Sequence, residues 1–265
     1  MKPEPLQYSP WEKDGWKGQA LADLAENMPD PAILCSMGES IVERPNRTVR
    51  RGTLQGKEVY IKCYRENSEQ RPWWKRVFQR KKCFQVLEIS RQLLAAGIGC
   101  PRTFLAADRQ WEELTVLEGL EFPTISNLCW YMQREEQREE WKRLCRPVAQ
   151  AIASLHRAGF IHGDCIPGNL CINQNQKVFF IDNDRTRRCF WFRKRQQMRN
   201  LIQFCAHLWV MGSPRDEEEC RMFLHEYEEA AGVTGWVEKL IPLWKTRTAQ
   251  IQQELKERFR DPNFC

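Results

Sequence analysis

Two acids and one amide draw attention through their types and spacing. Asp164 follows His162-Gly163, Asn169 lies five residues after Asp164, and Asp182 ends the apolar run Val178-Phe179-Phe180-Ile181. The short runs Leu170-Cys171-Ile172 and Val178 to Ile181 read as two strands joined by a polar turn. Asp164 and Asn169 then precede the first strand and Asp182 follows the second, so closing the hairpin gathers the side chains at one end. Such a set suits Mg-ATP chemistry, which needs a base for an acceptor hydroxyl and oxygen ligands for magnesium on the phosphates.

Other elements must hold that hairpin. Upstream, Val148, Ile152 and Leu155 follow a helical period that runs to His156, and Gly159 stops the helix just before the motif. Pro147 either begins that helix or kinks it. Nearer the N-terminus, β-type runs at Ser40-Ile41-Val42, Thr48-Val49-Arg50 and Glu58 to Tyr64 follow one another, the last after the turn Gln55-Gly56-Lys57. They predict an antiparallel sheet with Lys62 on its third strand, on one face with Tyr60 and Tyr64. A helix is expected over Cys83 to Ala96, apolar at 83, 86, 87, 89, 93 and 94. Leu114 to Glu118 reads as a further strand, leading into a connector over 119 to 123. Residues 1 to 38 are Pro-rich and Trp-punctuated, with a short helix expected over Gly18 to Glu26. Helical stripes follow the motif at Met198, Leu201, Phe204, Cys205 and Leu208, at Met222, Phe223 and Tyr227, and over 236 to 260.

The 265 residues can bury a sizeable core, and 29% charged against 42% hydrophobic is an ordinary globular composition. No run of 18 apolar residues exists, and Met1-Lys2-Pro3-Glu4-Pro5 lacks the apolar core of a signal peptide. A cytoplasmic location is therefore expected. Twelve cysteines without C-x-x-C pairs read as reduced, mostly buried small hydrophobes. The net charge of +6 is unevenly spread: Arg65 to Lys82 carries seven basic residues against two acids, and Arg185 to Arg199 seven against none. Both clusters suggest an anionic partner, whether phosphorylated glycolipid, lipid headgroup or nucleic acid. The segment Pro72 to Lys82 combines Trp74 and Phe78 with basic residues, as a membrane-surface helix does.

The stretch from His162 through Asn169 to Asp182 resembles the H-R-D-x-x-x-x-N catalytic loop and the magnesium loop of the protein-kinase-like fold. The flanks Val59-Tyr60-Ile61-Lys62, Arg71-Pro72-Trp73-Trp74-Lys75, Leu93 to Ile98 and Leu155 to Asp164 make the chain similar, over about residues 40 to 230, to the lipopolysaccharide kinases. These are the Kdo and heptose kinases of Gram-negative bacteria. The resemblance implies a two-lobed α+β fold: an N-terminal extension over 1–38, a small antiparallel β lobe over 39–118 and a larger, mainly helical lobe over 119–265. It implies ATP and Mg2+ as cofactors and transfer of the γ-phosphate to a heptose or Kdo hydroxyl of the lipopolysaccharide inner core. Asp164 would be the catalytic base, Lys62 would hold the α- and β-phosphates, and Asn169 and Asp182 would ligate magnesium. Adenine would meet backbone groups near Glu118 and Leu120. The partner would be lipopolysaccharide core or a lipid-linked sugar, with peripheral contact at the cytosolic face of the inner membrane and no nucleic acid.

Three departures stand against the general kinase pattern. Residues 42 to 52 contain no G-x-G-x-x-G, leaving Asn46, Arg47 or backbone groups to cover phosphates. Glu88, the one acid of the helix over 83 to 96, points away from its apolar stripe, and Val86 falls where a lysine-pairing Glu is expected. Asn200 stands where an Asp usually braces the catalytic loop. Two rival readings follow: a small-molecule phosphotransferase of the aminoglycoside kinase type, whose loop also reads H-G-D-x-x-x-x-N, and a catalytically weak kinase-like binding protein.

Overall fold

The structure, a computed structural model, describes residues 6–65, 81–130, 134–191, 193–210 and 217–258. The chain divides into two units, residues 1–121 and 122–265.

The first unit is built on a seven-stranded antiparallel sheet. Its strands are β1 (Tyr8–Lys13), β2 (Trp16–Leu21), β3 (Glu39–Arg44), β4 (Arg47–Leu54), β5 (Lys57–Arg65), β6 (Thr103–Arg109) and β7 (Glu112–Glu118), in the order β1-β2-β6-β7-β5-β4-β3. Two hairpins turn on residue pairs with positive φ, Asp14-Gly15 (51° and 77°) and Gln55-Gly56 (51° and 76°), the backbone that matches strand twist. The first of these overturns the helix expected over 18 to 26. Asp14-Gly15 closes β1 onto β2, and β2 in turn pairs with β6, Gly18 facing Ala107. A Cβ at Gly18 would lie 2.1 Å from the Ala106 carbonyl oxygen, so the glycine permits the strand's close approach.

The two faces of this sheet bury different things. Ile61 on β5 joins Trp11, Trp16, Leu34, Phe104 and Leu114 in one core, under α1 (Pro31–Ser36). Lys62 lies on the opposite face. It pairs across Thr115 to Ala106, and Ala106 packs against Cys83 and Leu87 of α2 (Lys82–Ala95). The expected apolar stripe of α2 is buried at Cys83, Val86, Leu87 and Leu93. Glu88 accepts a hydrogen bond from Gln92 Nε2 at 2.6 Å and lies 4.0 Å from Arg91. The basic segment expected over 72 to 82 falls, apart from Lys81 and Lys82, outside the described residues.

The second unit comprises α3 (Ile125–Trp130), α4 (Arg134–Arg157), β8 (Phe160–Ile161), β9 (Leu170–Ile172), β10 (Val178–Phe180), β11 (Arg187–Arg188), α5 (Arg193–Val210), α6 (Glu217–Ala231) and α7 (Trp236–Arg258). Helix α4 runs unbroken through Pro147 to Arg157, and the turn after it passes through Gly159, whose φ of +86° suits glycine. Trp141, Phe204 and Phe223, from α4, α5 and α6, are each 0–1% exposed and stack with centroids 5.0–6.3 Å apart. Each such ring contributes on the order of 2–3 kcal/mol by leaving water. That cluster fixes α5, and α5 carries residues that reach the motif. Among the described residues no helix is long and apolar enough to cross a membrane. Ten cysteines, those whose side chains are described, are free thiols, eight of them buried.

Candidate active site

Strands β9 and β10 pair antiparallel, Leu170 opposite Phe180 and Ile172 opposite Val178, as the two short apolar runs predict. Just beyond the pairing, the Ile181 N–H donates to the Asn169 carbonyl at 2.9 Å. Residues 169 and 181 are thereby clipped together, and the next residue is Asp182. Asp182 takes a left-handed backbone, φ 54° and ψ 50°, uncommon for a residue with a side chain but tolerated best by Asp and Asn. The turn that follows is held by Asn183, whose Nδ2 donates to the Phe180 carbonyl (2.7 Å) and whose Oδ1 accepts from Thr186 Oγ1 (3.0 Å).

Asp164 and Asn169 meet directly. Asn169 Nδ2 donates to the Asp164 carbonyl at 2.9 Å and to its Oδ2 at 3.3 Å. With its nitrogen so committed, the amide's Oδ1, which meets no donor among the described residues, can face a cation or donor. The other carboxylate oxygen, Asp164 Oδ1, accepts from Gln203 Nε2 of α5 at 2.9 Å. Sequence reasoning missed Gln203, because a contact spanning 39 residues leaves no local pattern. Asp164, Asn169 and Asp182 are all half-buried. Carboxylate and amide oxygens of this kind are the hard donors that Mg2+ takes. Gly163 lets the loop lie against the turn after Asp182: a Cβ there would sit 2.4 Å from the Arg185 carbonyl oxygen.

His162 is fully buried and fastens this arrangement through main-chain groups. The Asp164 N–H donates to its Nδ1 (3.2 Å), so the proton is on Nε2, which donates to the Ile181 carbonyl (3.0 Å). One imidazole thus joins the segment bearing Asp164 to the segment bearing Asp182. Burial lowers the His162 pKa, against smaller opposing effects from the Ile181 carbonyl and the two carboxylates. The neutral ring is the form these hydrogen bonds require.

Asn200 of α5 braces the loop from behind. Its Nδ2 donates to the His162 carbonyl (2.8 Å), while its Oδ1 accepts from the His162 N–H (3.2 Å). The amide orientation is therefore set by the backbone. Oδ1 also accepts from His156 Nε2 (3.2 Å), which leaves His156 Nδ1 to accept from the Tyr227 hydroxyl (2.8 Å). Every member of this buried network is neutral. Lys62 belongs to the first unit, on β5 as described, and is buried at 7% exposure.

The profile of the lipopolysaccharide kinase (Kdo/WaaP) family matches residues 37–227, most of the chain. The chain belongs to that family. Its fold is the protein-kinase-like one, an antiparallel sheet followed by a mainly helical unit. Among curated relatives, this lipopolysaccharide kinase family member is 28% identical over 142 residues to 3-deoxy-D-manno-octulosonic acid kinase of Vibrio parahaemolyticus, covering 54% of the chain and 55% of the relative. It is 27% identical over 104 residues to KEOPS complex subunit Bud32 of Pyrococcus abyssi, covering 39% and 44%. A 41-residue stretch, 16% of the chain and 20% of the relative, is 46% identical to a probable serine/threonine-protein kinase BUD32 homolog of Archaeoglobus fulgidus. The matched stretches thus span about half or less of the curated relatives' length.

The His156 network gives this family member an acid sensitivity. Burial pulls the His156 pKa down to about 4, against a smaller upward effect of Asn200. The unfolded chain takes up that proton near pH 6.5, whereas the folded one resists until about 4. The stability involved is present above pH 6.5 and is lost as pH falls toward 4, up to about 3 kcal/mol. Urea midpoints should therefore fall between pH 7 and pH 5, and the slope should be shallower in His156→Gln. An unchanged slope in that variant would assign the acid sensitivity elsewhere.

Proposed function

We propose that the protein is an ATP-dependent phosphotransferase acting on a sugar hydroxyl of the lipopolysaccharide inner core, with Kdo as acceptor. The observation that carries this reading is the clip between Asn169 and Ile181, beside the hydrogen bond from Asn169 to Asp164. It fixes two carboxylates and an amide at one end of a hairpin. The named activity of the Vibrio relative favours Kdo over heptose.

In this reading Asp164 accepts the acceptor hydroxyl's proton or aims the hydroxyl for in-line attack. Gln203 and Asn169 hold its two oxygens, so the carboxylate is oriented before substrate arrives. Asn169 Oδ1 and the Asp182 carboxylate are the ligands for Mg2+, and Lys62 is the partner for the α- and β-phosphates of ATP. Bound Mg2+ supplies charge neutralisation on the transferred phosphoryl group. His162 keeps Asp164 and Asp182 in register and takes no proton from substrate.

Two observations weigh against the rival readings. Arg187, Arg188, Arg193, Lys194 and Arg195 are exposed just beyond Asp182, a basic surface unsuited to a polycationic aminoglycoside. Asn200 bonds both main-chain groups of His162, so the amide does the bracing and its presence is no sign of a defective kinase. Incubation with Mg-ATP and either Kdo-bearing or heptose-bearing core oligosaccharide tests the reading. Phosphate should be incorporated into the Kdo acceptor; nucleotide binding without turnover on any sugar would favour the binding-protein reading.

The same basic surface supports peripheral contact with an anionic membrane. Phe190 is 76% and Trp191 82% exposed in the middle of it, the mix of aromatic and cationic side chains that settles at a lipid headgroup layer. Sedimentation with vesicles should show binding to phosphatidylglycerol-rich but not to phosphatidylcholine vesicles, weakened by at least about tenfold in Trp191→Ala with Arg188→Ala. Equal sedimentation of the variant would remove this surface from the account.

A further inference from the structure

The first unit holds a pair of thiols that the phosphotransferase reading leaves unused. Cys35 of α1 and Cys63 of β5 lie with their sulfurs 2.8 Å apart, although 28 residues separate them. Both are half-buried, whereas the other eight described cysteines are buried. Both also line a cavity of about 520 Å3. On β5, Cys63 shares its sheet face with Ile61 and points away from the face of Lys62.

The cavity lining carries a small excess of positive charge, four arginines against three glutamates. Arg44, Arg47, Arg50 and Arg65 line it together with Glu43, Glu112 and Glu113. Of those carboxylates Glu112 is paired with Arg65 (3.0 Å) and Arg109 (2.7 Å), whereas Glu113 accepts from the Cys83 N–H (2.9 Å), a bond that leaves its charge uncancelled. The Arg50 guanidinium instead rests on the carbonyls of Met37 (3.1 Å) and Gly38 (2.9 Å), which hold it without cancelling its charge.

We propose that Cys35 and Cys63 are an oxidisable dithiol, closed to an intramolecular disulfide by anionic low-molecular-weight disulfides of the oxidised glutathione class that enter through this cavity. The Cys35 thiolate attacks one sulfur of the reagent, forms a mixed disulfide and releases one glutathione thiolate. Cys63 then loses its proton and attacks the Cys35 sulfur, expelling the second glutathione. Two protein thiols are oxidised, one glutathione disulfide is reduced to two thiols, and the two protons end on those thiols.

The assignment of roles follows from the pair's own hydrogen bond. Either sulfur can donate to the other; with Cys63 as donor the bond lowers the Cys35 pKa, against burial and Glu112 and with Arg65 and Arg109 adding to the effect, while the same bond and burial raise that of Cys63. In that arrangement Cys35 attacks and Cys63 resolves. The link would tie the N-terminal segment to β5 and leave the face of Lys62 open. This inference is independent of the proposed kinase activity.

The full-length chain, reduced and freed of reductant, is incubated under native conditions with oxidised glutathione or with neutral 2-hydroxyethyl disulfide, then alkylated, digested and analysed by mass spectrometry. A peptide cross-linked between residues 35 and 63 is expected. It should form about tenfold faster with the anionic reagent at low salt, with the difference shrinking at high salt. The linked protein should melt about 5–10 °C higher than the reduced one. In Cys63→Ala the reaction should stop with glutathione on Cys35. Native protein in which both thiols remain alkylatable, or equal rates with the two reagents, would overturn the proposal; the wild-type result decides alone if Cys63→Ala does not fold.

Discussion

If the proposed function holds, Asp164→Asn is expected to lower phosphate transfer to the sugar by about 10^2- to 10^4-fold while the protein still melts at a higher temperature in Mg-ATP. The substitution keeps size and one acceptor oxygen, so Gln203 Nε2 retains its partner at 164. It removes the basic oxygen and sets an NH2 group against Asn169 Nδ2, where Oδ2 now accepts at 3.3 Å. That local conflict costs on the order of 1 kcal/mol, too little to unfold the loop that His162 and Asn200 hold from other sides. Gln203→Leu is the useful companion. It removes one hydrogen bond and leaves the carboxylate in place, so its effect should be about tenfold and confined to the transfer rate. Asp182→Ala should do the reverse of Asp164→Asn and abolish the Mg-ATP thermal shift. Initial rates with labelled ATP and melting curves with and without nucleotide separate the three variants. Transfer by Asp164→Asn at the wild-type rate would refute the assignment of Asp164 as base.

The hairpin that carries these residues was legible because its signals are local. The short apolar runs Leu170 to Ile172 and Val178 to Ile181, the polar turn between them and the Gly159 that precedes them all lie between residues 159 and 181. Where the sequence misled, a distant partner decided. The segment 16 to 21 became a strand because β6, far along the chain, offered an edge and Gly18 could approach it; β6 itself, with Thr103 its one β-branched residue beside Ala106, Ala107 and Asp108, gives a weak strand signal. Gln203 and Tyr227 were beyond reach for the same reason. Gln203 lies off the apolar stripe of its helix and Tyr227 within one, so neither position announces a polar partner, and the contacts to Asp164 and His156 span 39 and 71 residues. The Asn at 200 was visible as a departure from the kinase pattern, but its meaning was not. Only the geometry shows that an amide serves there by donating to one main-chain group while accepting from another.

Asn200→Leu is therefore expected to cost about 3–5 kcal/mol of folding stability and most of the transfer activity. Leucine matches the volume but leaves three buried groups without partners: the His162 N–H, the His162 carbonyl and the His156 Nε2–H. Each stranded group costs about 1–3 kcal/mol, offset in part by about 1–2 kcal/mol from the added apolar burial. The loss falls on the main chain two residues before Asp164, so the carboxylate's position suffers with the stability. Asn200→Asp isolates the amide's contribution. A carboxylate still accepts from the His162 N–H and from His156, but it sets oxygen against the His162 carbonyl, where Nδ2 now donates at 2.8 Å. Its charge also favours a protonated His156, raising a pKa that burial holds at about 4 in the native protein. Where the folded pKa exceeds the unfolded value of 6.5, the group adds stability at low pH and loses it as pH rises through that value. The aspartate variant should therefore be weakest near neutrality and closest to the native protein near pH 5, while the native protein itself loses stability on acidification. Urea unfolding at pH 5 and pH 7.5 reads both slopes. A leucine variant as stable as the native chain, or an aspartate variant with the native pH slope, would show that Asn200 does not brace the catalytic loop.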